Sequence, residues 1–149
     1  MPSTSRTRRR LLQALALPVA AALVLGGCAS TPSPEADREA LLQRARAYWE
    51  LVRQNDRVNA WKYEAVSKDQ SMTLEGYLKR GGIIYESVEI LGVRSLQGDE
   101  ARVDMRQRYS VPVARLKNMV AEGTDQWRRI DGTWHHVLPK SSSFPGEQQ

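Results

Sequence analysis

The spacing of apolar residues changes character at Gly81-Gly82, and that change restricts the chain to folds in which helices come first and an antiparallel sheet follows. Before the glycine pair, Leu41, Leu42, Ala45, Tyr48, Trp49 and Val52 recur at three- and four-residue spacing, one apolar stripe of a helix. Its start is marked by Glu35 and Asp37, acids placed where a helix N-terminus favours negative charge. The stretch Asp56 to Val66, with Val58, Trp61, Tyr63 and Ala65, reads as a short helix or turn. Thr73 to Arg80 reads as another short helix with Leu74, Tyr77 and Leu78 on its buried side, closed by glycines that accept left-handed backbone.

Beyond Gly82 the period is two and β-branched residues become common. Ile83 to Leu96 is expected to be a strand, Gln97 to Glu100 a turn, and Ala101 to Val113 a second strand. In the second strand Ala101, Val103, Met105, Gln107 and Tyr109 share the core face, while Arg102, Asp104, Arg106 and Arg108 share the wet one. Asp125 to Ile130 and Thr133 to Leu138 flank Asp131-Gly132, a hairpin signal because both residues tolerate positive φ. The expected class is α+β.

The N-terminal segment says where such a domain is delivered. Arg6, Arg8, Arg9 and Arg10 precede an apolar run from Leu11 to Leu25, the pattern of an export signal over residues 1–27. A spanning helix needs about 20 apolar residues, and this run is shorter and contains Pro18. Leu25-Gly26-Gly27-Cys28 resembles the lipobox of bacterial lipoprotein precursors: an aliphatic residue and two small ones for signal-peptidase recognition, then the cysteine that takes the lipid. The resemblance implies palmitate-type acylation of Cys28 and, with Ala29 following, an outer-membrane lipoprotein facing the periplasm, the inner membrane being the alternative. Several acyl chains on one residue hold a protein far more firmly than one chain does. Cys28 is also the only cysteine, so no internal disulfide supports the fold.

Processing removes the basic balance. Four of the 22 basic residues precede Cys28, which leaves 18 against 17 acidic ones and a net charge of +1. Such a chain lacks the positive field that draws proteins to nucleic acid, so no nucleic-acid partner is expected. Residues 28–149 suffice for one domain. Cys28 to Pro34 forms the lipidated end and its tether, the ordered domain is expected over 35–139, and residues 140–149 make a disordered tail.

Helices first, then a meander ending in Trp127-Arg128-Arg129-Ile130-Asp131-Gly132-Thr133-Trp134-His135-His136-Val137, is similar to the nuclear transport factor two-like superfamily, which includes SnoaL-like and ketosteroid-isomerase-like proteins. The resemblance implies a cone, also called a cystatin-like roll, with helices packed in the concave face of a curved antiparallel sheet and a pocket at its open end. It also implies a homodimer through the outer sheet face as one arrangement. Such a fold hosts enzymes, ligand binders and assembly domains alike, so function must come from the site.

Candidate pocket-lining residues are Tyr48, Trp61, Glu89, Met105, Tyr109 and His136. An isomerase of this type needs a carboxylate base facing a hydrogen-bond donor inside the pocket. Glu89, on the alternation of Tyr85, Leu91 and Val93, and Asp56, at the end of the first helix, are the acids placed to enter one. Asp104 lies among arginines and is expected to be a solvated salt-bridge partner; Glu86 and Asp125 are expected to neutralise the same basic face. His135 and His136 are adjacent on a strand and point to opposite faces, so they cannot share a metal ion, and no third ligand stands nearby. No metal, cofactor or catalytic set is expected. The resulting expectation is a lipid-anchored envelope lipoprotein acting as a non-catalytic binder of a small apolar ligand or as a protein-assembly module. The alternatives are a small-molecule isomerase or dehydratase, and an accessory lipoprotein of a secretion or envelope-assembly machine.

Overall fold

The computed structural model describes residues 33–139, so the expected signal peptide, Cys28, all but the end of the expected tether, and the expected tail lie outside the described residues. Helix α1 runs Pro34–Arg53. Ser33 caps it by accepting a hydrogen bond from the Ala36 N–H, Pro34 occupies its first position, and Glu35 and Asp37 stand in the first turn. Leu41, Ala45, Tyr48, Trp49 and Val52 are its buried residues, the stripe read from the sequence.

Four short helical pieces connect α1 to the sheet. Helix α2, Arg57–Ala60, is capped by Asp56, whose carboxylate accepts from the Asn59 N–H. Asp56 is thereby committed to the end of a helix. Two 3-10 turns, Trp61–Tyr63 and Ala65–Ser67, follow, and helix α3 spans Leu74–Leu78 with Thr73 as its cap. Only part of the apolar side expected there is buried: Tyr77 is fully enclosed, but Leu78 is 40% exposed. Val58, on α2, is exposed as well. A helix of five residues has too little face to cover three large side chains.

The sheet is an antiparallel meander in the order β1-β2-β3-β4, with β1 Ile84–Gln97, β2 Glu100–Val111, β3 Leu116–Ile130 and β4 Thr133–His136. Strand β2 alternates as expected, with Ala101, Val103, Met105, Gln107 and Tyr109 buried. It ends at Val111 rather than Val113, because Pro112 opens a 3-10 turn closed by Arg115 in left-handed conformation. Strand β3 begins nine residues before Asp125, where the sequence gives no strand signal because residues 116–120 are all exposed and have no apolar-polar alternation to display.

Strand β1 does not alternate cleanly. Its pairing with β2 slips between Tyr85 and Ser87, between Ile90 and Gly92, and between Val93 and Ser95. Each slip is a bulge that reverses facing and increases local bend. Tyr85, Val88, Ile90, Val93 and Leu96 therefore pack on the core, while Glu89 and Leu91 are exposed.

Asp131-Gly132 closes the last hairpin with φ of 49° and 74°, as two-residue turns of this hand require. The paired part of β4 is short. It pairs with Trp127 to Ile130, and the Val137 N–H still donates to the Gln126 carbonyl. Continued in the same register, Pro139 would stand opposite Thr124 where an N–H is needed, and proline has none.

The core lies between α1 and one face of the sheet: Leu41, Ala45, Tyr48, Trp49 and Val52 meet Ala101, Val103, Met105, Trp127 and Trp134. Asp37 ties the start of α1 to the last hairpin, accepting from the Trp134 indole at 2.9 Å and from the Arg129 guanidinium. The opposite face is wet. There Arg106 bridges Glu122 at 2.7 Å and Glu89 at 3.4 Å across three strands, and Asp104 pairs with Arg94 at 2.7 Å.

Candidate functional site

Six side chains meet through their polar groups in the middle of this otherwise apolar core. His136, from the end of β4, is stacked on Tyr48 with ring centroids 4.4 Å apart. Its Nδ1 is 2.8 Å from Glu64 Oε2 and its Nε2 is 2.8 Å from Asp125 Oδ1. Tyr48 donates its hydroxyl to Glu64 Oε1 at 2.7 Å. The indoles of Trp49 and Trp127 both donate to Asp125 Oδ2, at 2.8 and 3.0 Å. All four carboxylate oxygens are therefore occupied, and both nitrogens of the imidazole are held.

Local structure places each member. Glu64 lies between the two 3-10 turns in extended conformation, and its backbone forms an isolated bridge to His136, which sets the carboxylate against the ring. Asp125 shares the inward parity of Trp127 on β3 and pairs with Val103 of β2. Glu64 is 0% exposed, Asp125 7% and His136 4%.

Electrostatics follow from that enclosure. Burial by itself lowers the pKa of His136, but Asp125 and Glu64 outweigh it and raise the value to about 10, so the ring is an imidazolium with both N–H groups donating. Burial and then Glu64 push the Tyr48 hydroxyl well above its ordinary range. Burial and then Asp125 raise Tyr85 to about 12. The cluster thus favours a positive ring between carboxylates and neutral phenols around them.

The expected pocket residues are spread over several parts of the fold. Tyr48 and His136 join the cluster, Met105 and Tyr109 lie buried on the inner face of β2, and Trp61 packs over Tyr77 with centroids 5.2 Å apart. Glu89 stands apart, at the rim of a groove of about 410 Å³ between α1 and β1, whose floor is Trp49, Val88 and Ile90. Arg46, Glu50 and Arg53 complete that rim, with Arg53 paired to Glu50 at 2.6 Å.

Asp125 is the main correction. The sequence reading sets it against the basic outer face, yet it is a core acceptor, in keeping with the parity it shares with Trp127. Glu64 carries no sequence signal of its burial, since it sits in a connection without a regular period. His135 is also buried, facing away from the cluster; burial and then Arg44 and Lys68 lower its pKa. Among the described residues no group of His, Cys, Asp or Glu side chains is arranged to hold a metal ion, and no helix is long and apolar enough to cross a membrane.

No protein-family model matches the chain. No curated protein matches it either. Among solved structures it is similar to a SEC-C motif-containing protein from Rhodopseudomonas palustris, with a TM-score of 0.47 and 13% identity, over 67% of this chain and 77% of that one.

Proposed function

We propose that the chain is a lipid-anchored lipoprotein of the cell envelope whose domain is a non-catalytic binding or assembly module. The anchor reading rests on Leu25-Gly26-Gly27-Cys28 after the arginine-led apolar run. The observation that carries the module reading is the closed polar cluster. In an isomerase or dehydratase of the cone type, a carboxylate and a tyrosine face each other across the substrate; here Tyr48 donates directly to Glu64 at 2.7 Å and leaves no room between them. The acid and base groups are occupied with one another, so recognition falls to the surface. We read the curved meander over α1 as the half-cone of nuclear transport factor two-like proteins, an assignment that the three bulges of β1 and the helix-first order favour.

Two measurements test this. In a bacterial host fed labelled palmitate, the wild-type chain should carry the label in the membrane fraction and Cys28→Ser should carry none. An unlabelled wild type, or a mature N-terminus elsewhere, overturns the anchor. Turnover of small hydroxy- or keto-substrates by the purified chain, abolished by Glu64→Gln while the fold persists, overturns the module.

A further inference from the structure

Part of the β3 edge has no pairing strand among the described residues, a feature that the closed core leaves unexplained. Gln126 directs its carbonyl to β4, and Arg129 directs its N–H back across β2 to the Asp99 carbonyl. The β2–β3 register is unbroken from Arg128 down to Met119, so the alternation carries through. Val120, Glu122 and Thr124 consequently point N–H and C=O away from β2, on the side that β4 covers only as far as Gln126. Pro139 has no N–H to offer Thr124, so the described pairing with β4 stops at the Val137–Gln126 bond.

The chemistry around the edge says what would pair with it. Residues 112–120 are all exposed, and they include Val113, Leu116 and Met119, with Val113 90% exposed. Residues 110–121 contain no acid. Arg108, Arg115 and Lys117 at this end have no carboxylate within ion-pair distance among the described residues, whereas Glu86 is engaged by the Ser110 hydroxyl. Apolar side chains beside uncompensated cations also suit an anionic membrane surface. Free backbone donors and acceptors do not, because hydrocarbon offers them no partner. A second copy fits poorly too: the acids of its β3 are Glu122, already held by Arg106, and Asp125, which is buried.

We propose that the Val120–Thr124 edge of β3 captures an extended acidic peptide segment of another protein, which adds to the sheet as a strand with apolar residues at alternate positions and carboxylates near Arg115 and Lys117. The proposal rests on the binding-module reading and is independent of the lipid anchor, so a chain that is never acylated but binds such peptides would fail only the anchor.

The test uses the full chain in detergent micelles and an array of synthetic peptides with valine at alternate positions and glutamate, serine or lysine between. The glutamate series should bind. Val120→Pro removes one outward N–H at an edge position where proline is tolerated, and should weaken binding about tenfold while circular dichroism stays native. Arg115→Glu combined with Lys117→Glu should transfer preference to the lysine series, which gives a readout even if the proline variant misfolds. On binding, amide exchange should slow at Val120, Glu122 and Thr124 but not at Ala121 and Gly123, whose N–H groups point to β2. Absence of binding in every series overturns the proposal, as does full binding by a folded Val120→Pro chain. Equal capture by phosphatidylglycerol vesicles without peptide binding assigns the patch to a membrane instead. A dimer in sedimentation that Val120→Pro dissociates assigns the edge to a second copy.

Discussion

His136 shows how a single residue can be held in one charge state by its surroundings. Taking an imidazolium out of water is costly, and two carboxylates with good geometry offset that cost only while all three groups stay in place. His136→Ala would leave Glu64 and Asp125 buried without their shared partner, and should destabilise the fold by about 3–5 kcal/mol, read from chemical denaturation. Nitrogen-detected NMR at pH 7 should find both ring nitrogens of His136 protonated, with titration near 10. Asp125→Asn removes one of the two charges that raise this value and should bring the titration down toward neutral pH. An unchanged titration would contradict the role given to Asp125.

Elements here are decided by their ends as much as by their patterns. Strand β4 stays short because Pro139 lacks the N–H that the next pair needs, and the last hairpin closes because Gly132 accepts a φ of 74°. Gly132→Val puts a β-branched residue into that conformation and should cost about 1–2 kcal/mol in stability, seen as a lower thermal midpoint. Ser33→Ala, which removes only the cap of α1, should cost about 1 kcal/mol and leave the core spectrum unchanged. How much of each element was legible follows from where its residues face. The stripe of α1 and the alternation of β2 were readable because each buries one regular face. The facing of Glu89 was not, since three bulges in β1 break the period that would have predicted it.

Across the whole molecule, the buried ring couples stability to pH. A histidine whose folded pKa lies above its unfolded value of about 6.5 binds more protons folded than unfolded between those limits, so the stabilisation is complete below about 6.5 and is lost as pH rises through about 10. The raised pKa values of Tyr48 and Tyr85 act in the same direction above about 10. Unfolding free energy should therefore fall steadily from pH 7 to pH 10, and a folded variant lacking His136 should lose most of that slope. A flat profile in the wild type would show that the imidazolium does not form. The sequence alone determined the helix-first order, the meander and its last turn, because periodicity and turn chemistry are local properties that one segment displays without the others. Only the tertiary structure decided that Glu64, Asp125 and His136, separated by up to 72 residues, share one enclosed charge cluster, because burial of a polar group depends on which distant donors arrive beside it.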